Sequence, residues 1–178
     1  VIHAEAAEMA CRLAEKAVLP TTQTLMALGA MPADHPLSIG MLGMHAARYT
    51  NLVLEACDLL IAVGARFDDR ATGKLAEFCP QARVIHIDVD PSELNKLKTA
   101  HVPIAADVGE ALKALLPRVQ RQQRPQWQEQ VQTLRRRYPL DMPGADDRRM
   151  PYGLIRAVAR LTGERAIVST DVGQHQMW

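Results

Sequence analysis

Aromatic residues make up only 4% of this 178-residue chain, two Trp, three Tyr and two Phe, so aliphatic side chains must build any core. Cysteine is sparse as well. Cys11, Cys57 and Cys79 are odd in number, lack C-x-x-C spacing and sit in apolar surroundings, which reads as buried free thiols in a reducing cytosol. The six histidines are scattered, so the dense Cys/His cluster of a zinc site is missing. Neither sign of charge dominates: 21 Lys+Arg stand against 20 Asp+Glu, a net charge of +1. That balance leaves no electrostatic footprint for nucleic acid or a membrane surface. Long hydrophobic runs are absent. The longest, residues 59–63 followed by Gly64 and Ala65, falls far short of a bilayer. The first residues lack the basic-apolar-small order of a signal peptide. The sequence also opens without methionine and stops in mid-pattern at Met177-Trp178, as a piece of a longer protein would. What is present is ordinary globular composition, 48% hydrophobic and 23% charged, at a length for one full core.

The apolar pattern predicts alternating helices and strands. Residues 4–18 read as an amphipathic helix, with Ala7, Cys11, Ala14 and Val18 at helical spacing and Pro20 ending it. Residues 21–26 suit a short strand. Gly29, Pro32, Asp34, Pro36 and Gly40 mark an irregular loop running to Gly43, of a length that usually serves function. A helix fits 46–56, and the unbroken run 59–63 fits a strand buried on both faces. A short helix at 72–78, a strand at 83–89, a helical turn at 92–97 and a strand at 102–106 follow. Asp107 and Glu110 open the next helix as a capping box, with Val108, Leu112, Leu115, Leu116 and Val119 as its apolar stripe. This rhythm predicts an α/β fold, a doubly wound parallel sheet, over 1–118.

The charge then changes. Residues 1–117 hold ten basic and fourteen acidic side chains, whereas 118–149 hold eight arginines and four acids. A basic helical linker is expected over 119–150. Trp127, Val131, Leu134 and Tyr138 form one stripe of it, and Arg135-Arg136-Arg137 its solvated side; an RNA-binding reading of that triplet lacks interleaved aromatics. A helix at 152–161 and a strand at 166–170 would begin a second α/β domain over 151–178.

In doubly wound sheets ligands bind at the carboxyl ends of the strands. Three such ends are polar here. Gly64-Ala65-Arg66-Phe67-Asp68-Asp69-Arg70 offers a glycine for close backbone approach and two guanidinium forks for phosphate or carboxylate. Asp88 lies 24 residues beyond Gly64, near the usual spacing of a ribose-binding acid, and Asp107 ends the following strand. Against a nucleotide site, G-x-G-x-x-G is missing, and Asp68 and Asp69 could simply cap a helix and pair with Arg66 and Arg70. His86, Asp88 and Asp90 share one strand face, which suits a hydrogen-bonded histidine better than a metal site. Met41-Leu42-Gly43-Met44-His45 is core or turn by itself; beside a nucleotide it becomes a wall for a flat ring.

Five ordered segments carry a more specific signal: 24–29 (TLMALG), 40–45 (GMLGMH), 64–70 (GARFDDR), 85–91 (IHIDVDP) and 171–178 (DVGQHQMW). Through them the chain resembles the catalytic (large) subunit of the acetohydroxyacid synthases, also called acetolactate synthases, of the bacterial biosynthetic type. The resemblance covers all but the variable 118–150 stretch. It implies a three-domain enzyme using thiamine diphosphate, Mg²⁺ and FAD. Such an enzyme decarboxylates pyruvate and condenses it with a second 2-keto acid, pyruvate or 2-ketobutyrate, in branched-chain amino-acid synthesis. This chain would hold the central FAD-binding domain and the start of the thiamine-diphosphate-binding domain.

By that resemblance Thr24, Leu25, Met26, Leu42, Gly43, Met44, His45, Gly64, Arg66 and Asp68 would line the FAD. Asp88, Val89, Asp107 and Val108 would meet its adenosine half. Arg70 would bind the carboxylate of the second keto acid, and Met44 would stand at the boundary of flavin and substrate. Val172, Gly173, Gln174 and His175 would touch thiamine diphosphate, and Gln176 the flavin. The resemblance further implies a cytoplasmic homodimer or higher oligomer, a possible small regulatory subunit, and no nucleic-acid or membrane partner. Ala46 departs from a glycine usual in the family. A glycine triplet and a strand that usually precede Val1, the activating glutamate, and the Gly-Asp-Gly to Asn segment that holds Mg²⁺ all lie outside these residues, so the chain alone should be inactive. A non-catalytic nucleotide-binding module is the competing reading.

Overall fold

The computed structural model describes residues 1–163 and 166–177, in two compact units that divide between Pro139 and Leu140. The first unit is framed by parallel strands. β1 (Thr21–Gln23) pairs with β2 (Ser38–Met41), while β3 (Leu59–Val63), β4 (Arg83–Asp88) and β5 (Val102–Ala105) pair in that order. Register runs Leu59↔Arg83 to Val63↔Ile87 and Ile85↔Val102 to Asp88↔Ala105. Around the strands lie α1 (Ala7–Ala17), α2 (Arg48–Ala56), the single turn α3 (Asp69–Thr72), α4 (Val108–Leu115) and α5 (Pro125–Arg137). The second unit contains α6 (Pro151–Thr162) and the short α7 (Gln174–Met177). The family-level expectation of a parallel, doubly wound α/β arrangement holds.

Alternation along β4 sends side chains into two cores, as the strand period requires. Ile85 and Ile87 pack with Leu13 of α1 and with Val108 and Leu112 of α4. Val84 faces the other way, into Leu54, Phe67, Phe78 and Cys79. A third cluster joins Ile39 of β2, Val53 of α2 and Val131 of α5, so α5 packs on the first unit. The expected stripe Trp127, Val131 and Leu134 is its contact face. Arg135 is not solvated: it donates to Ser38 O and stacks 5.3 Å above the Tyr49 ring. Arg136 and Arg137 are exposed.

Several local expectations are corrected. The helix expected from residue 4 starts at Ala7, because turns closed by Glu5 N→Ile2 O and Ala6 N→Val1 O occupy the first residues. The strand expected to reach Met26 stops at Gln23 and gives way to a 3-10 turn at Leu25–Ala27. The stretch expected as loop to Gly43 contains β2, held by pairing with β1 that no local signal announces. The helix expected at 72–78 is instead α3. Asp68 Oδ1 accepts from Ala71 N at 3.0 Å to start it, and Gly73 at φ +59 ends it. Residues 92–97 form turns, and no strand forms at 166–170, where a lone strand would have no ladder partner.

β3 also departs from expectation. Only Ala62 is buried in it, and Leu59 is 40% exposed. A cavity of ≈ 840 Å³ lies between it and β1, lined by residues of both strands and of α1 and α2.

Candidate functional site

Parallel strands deliver their carboxyl ends to one edge, and each end here is shaped by a local device. After β3, Gly64 turns the chain at φ +59, its N–H donating to Ile87 O at 2.7 Å. Phe67 is pulled into the core, edge-on to Phe78 and to His86 with ring centroids 6.2 and 5.0 Å away. His86 is fully buried, and its Nε2 lies 3.1 Å from Ala65 O, which pins the loop to β4. Its Nδ1 has no hydrogen-bond partner among the described residues, and its Nε2 also stands 4.0 Å from Asp88 Oδ2. The hydrogen-bonded reading of His86 therefore fits the geometry. Among the described residues no group of three His, Cys, Asp or Glu side chains is placed to hold a metal.

Pinning Phe67 and Asp68 leaves the arginines outward. Asp68 caps α3, yet Arg66 and Arg70 are exposed and form no ion pair or side-chain hydrogen bond among the described residues. Two unpaired guanidiniums at a strand end are available to an anion. The 3-10 turns after β1 and β2 expose the apolar side chains of Leu25, Met26 (78%) and Met44 (66%). The second turn is held by Asn51, which donates from Nδ2 to Gly43 O at 3.1 Å and accepts from Gly43 N at 3.2 Å. Gly43, at φ +87, is buried against the backbone of Arg70 and Ala71. Gly43, Met44 and Arg70 border one cavity of ≈ 340 Å³, whereas Thr24, Met26, Leu42, Gly64 and Arg66 border the larger one. His45 is exposed. Ala46 is extended, at φ −71, a conformation that demands no glycine.

The remaining strand ends are less free. Asp88 is nearly buried, and its Oδ1 accepts from Asp90 N at 2.9 Å. Asp107 caps α4 by accepting from Gly109 N and Glu110 N at 2.8 and 3.2 Å. Val89 is exposed, whereas Val108 is buried in the α1–α4 core, 3.4 Å from where a Gly64 Cβ would stand. Val172–Gln176 lie in the second unit, where Val172 is 84% exposed and Asp171 Oδ1 accepts its N–H. The Trp178 of the same motif lies outside the described residues.

Residues 1–115 match the family model "Thiamine pyrophosphate enzyme, central domain". The chain belongs to the thiamine pyrophosphate enzymes. It is 57% identical over 166 residues to the acetolactate synthase isozyme 1 large subunit of Escherichia coli K12, covering 93% of this chain and 30% of the relative. Identity is 48% over 170 residues to the acetolactate synthase large subunit of Parasynechococcus marenigrum, covering 93% and 27%. Against the chloroplastic acetolactate synthase 2 of Zea mays it is 40% over 181 residues, covering 98% and 28%. The chain thus spans less than a third of the length of these relatives.

Within this thiamine pyrophosphate enzyme domain, residue-by-residue reasoning missed Asn51. A polar residue on a core-facing helix, eight positions beyond a buried glycine, was the available signal. It also missed that Arg66 and Arg70 stay unpaired, since sequence adjacency to Asp68 and Asp69 suggests pairing as readily as freedom.

Proposed function

We propose that this chain is the FAD-binding central part of an acetolactate synthase large subunit, followed by a linker and the opening of its thiamine-diphosphate-binding domain. The loop 64–70 carries the reading. It holds two guanidiniums, unpartnered among the described residues, at the carboxyl edge of parallel strands; Arg66 shares a cavity border with the exposed Met26, and Arg70 one with the exposed Met44. These residues fit a flavin dinucleotide. Gly64 and Gly40 have positive φ, and no atom lies within 4 Å of where a Gly40 Cβ would stand, so an extended ligand has backbone to lie against. Arg66 would hold the pyrophosphate, while Leu25, Met26 and Met44 would wall the ring. Thr24, Leu42, Gly43, His45 and Asp68 complete that edge. Asp107 keeps Oδ2 free of its cap bonds, whereas Asp88 Oδ2 stands 4.0 Å from His86 Nε2; the adenosine half would meet these two carboxylates and Val89, with Val108 beneath.

Thiamine diphosphate, when bound, supplies the carbon centre at which a 2-keto acid is decarboxylated. This chain's part is positional. Arg70, always charged and planar, would take the carboxylate of the second keto acid, pyruvate or 2-ketobutyrate, and orient its carbonyl. Met44 would exclude water at that boundary. Val172, Gly173, Gln174 and His175 would reach thiamine diphosphate and Gln176 the flavin; Mg²⁺ would be held by residues outside this chain. The intact protein would work in the cytoplasm as a dimer or larger assembly, with or without a small regulatory subunit. The slot between β1 and β3 suits one further parallel strand of that protein, since both facing edges carry unpaired backbone groups.

The test is made on the intact protein. It should purify with flavin absorbance; a colourless protein that binds NAD tightly would refute the reading. Arg66→Ala should weaken flavin binding by about 10- to 100-fold, the worth of charge-assisted hydrogen bonds. Arg70→Ala should keep the flavin and raise KM for the acceptor by a similar factor. Unchanged acceptor kinetics would remove that role.

A further inference from the structure

We propose that Asn51 is a positioning residue for the acceptor 2-keto acid, its amide setting the Gly43–His45 turn against the backbone that carries Arg70. The inference rests on the reading of Arg70 as the partner of the acceptor carboxylate. Asn51 acts through the turn and through α3, not by touching the acceptor.

Asn51 and its neighbour Thr50 hold consecutive pieces of chain from one helix. Thr50 is fully buried in α2 and donates from Oγ1 to Ile39 O of β2. Asn51 holds the turn that follows that strand. The two holds differ in kind. The hydroxyl makes one bond, whereas the amide offers a donor and an acceptor to the same residue. Its Nδ2 gives to Gly43 O at 3.1 Å, and its Oδ1 takes from Gly43 N at 3.2 Å. Bonds at two points fix the orientation of the turn as well as its distance from α2.

Gly43 needs this partner. As the first residue of a 3-10 turn, its N–H has no acceptor within the turn, while its O already receives Ala46 N at 3.1 Å. Gly43 is buried, so an amide left without its acceptor there carries the full desolvation penalty. The acceptor half of Asn51 is therefore the half that the turn can least do without.

What the amide orients is the wall of one cavity. Gly43, Met44, Asn51 and Arg70 all border the ≈ 340 Å³ space. Gly43 packs on the backbone of Arg70 and Ala71 so closely that a Cβ has no room. Arg70 is exposed and has no side-chain partner of its own among the described residues. Its placement depends on α3 and on what packs against α3. A turn released from α2 would shift Met44 and loosen that packing together. Arg66 and Met26 border the other cavity, so flavin binding should be spared.

Two readouts on the intact protein separate acceptor from donor. One is the steady-state KM for forming the two-pyruvate product. The other is release of carbon dioxide in the first turnover, which requires only the donor. Asn51→Leu, of similar size with neither polar atom, should raise KM about 5- to 100-fold, the range of an unsatisfied buried amide. Its kcat, flavin content and first-turnover carbon dioxide should stay unchanged, the signature of lost binding rather than lost chemistry. Asn51→Ala removes the same two bonds and takes its place if that variant does not fold. Asn51→Asp keeps the acceptor for Gly43 N and should recover most of the loss. Thr50→Val should lower thermal stability and leave KM alone. Hydrogen exchange at 64–73, which needs no catalysis, should quicken in Asn51→Leu and not in Thr50→Val.

An unmoved KM in Asn51→Leu, where Arg70→Ala raises it, overturns this role and leaves the reading of Arg70 standing. An unmoved KM in Arg70→Ala removes that reading, and the role of Asn51 with it. Equal effects of Asn51→Asp and Asn51→Leu, a parallel loss of first-turnover carbon dioxide, or a matching KM rise in Thr50→Val would each mean general loosening and overturn the proposal.

Discussion

Replacing Gly43 by alanine separates two costs that coincide at one position. Gly43 has φ +87, where an L-residue loses about 1–2 kcal/mol. An added Cβ would also overlap Arg70 O and stand 2.8 Å from Ala71 Cα, both backbone atoms that cannot rotate aside. Relief requires the Gly43–His45 turn to part from α3, an overpacking cost of about 1–3 kcal/mol. Gly29 shares the first cost alone: its φ is +95 and nothing lies within 4 Å of its would-be Cβ. Gly43→Ala should therefore exceed Gly29→Ala by about 1–3 kcal/mol, or about 5- to 150-fold in a local opening constant. Hydrogen exchange by mass spectrometry on the intact protein reads that constant segment by segment. Peptides covering 38–52 and 64–73 should exchange faster by that factor in Gly43→Ala than in Gly29→Ala. Acceptor kinetics should weaken in the same variant, because α3 carries Arg70. Equal exchange at 64–73 in the two variants would refute the close approach of turn and helix.

Other perturbations have simpler expectations. Asp107→Ala removes the α4 cap and should cost about 1 kcal/mol of stability, while Asp107→Asn keeps an acceptor and should cost little; a cap-independent α4 would show no difference in exchange at 108–115. Val131→Ala should destabilise the α2–α5 contact by about 1–2 kcal/mol, since Val131 fills the cluster with Ile39 and Val53. Protection in α2 that is unchanged by this substitution would mean that α5 does not support it. Hydrogen bonds from Ser92 hold the Asp90 carboxyl below its ordinary range. A depressed acid stabilises the fold above its unfolded pKa, and that contribution is lost as pH falls through the lowered value. An NMR titration should place the Asp90 midpoint below that of a free aspartate, and Ser92→Pro, which lacks the N–H donor, should return it upward.

The parts of the fold that were legible in sequence are those decided within one element. The α4 cap is a local competition between a carboxylate and orphan amides, and its stripe from Val108 to Leu116 is a local periodicity, so both read directly. β4 reads likewise, because period-two alternation survives any register. β2 did not read: Ser38–Met41 is strand only because Thr21 and Gln23 pair with it, and no residue between Gly29 and Gly43 announces a partner so far back. The site splits the same way. The carboxyl-edge residues were placed by strand order, but the release of Arg66 and Arg70 depends on Asp68 being spent on the α3 cap and Phe67 on the Phe78–His86 contact. Those are tertiary choices among equally plausible local ones.

β3 shows the opposite case, in which sequence carries more than the structure alone displays. Five consecutive apolar residues are the pattern of a strand covered on both faces. Yet Leu59 is 40% exposed, and the strand borders the ≈ 840 Å³ slot. An aliphatic run left at a bare edge is a pairing and aggregation hazard that natural sheets blunt with charge, proline or a bulge. Residues 59–63 have none of these devices. Nor does β1 opposite, whose Thr21-Thr22-Gln23 carries no charge to repel a neighbour. Two unprotected edges facing each other across one slot are what remains when a strand between them is supplied by another part of the protein. The proposed strand would cover β3 on the side where its sequence already assumes cover. It would also join the two sheet fragments, so that the Met26 and Arg66 ends become parts of one continuous carboxyl edge.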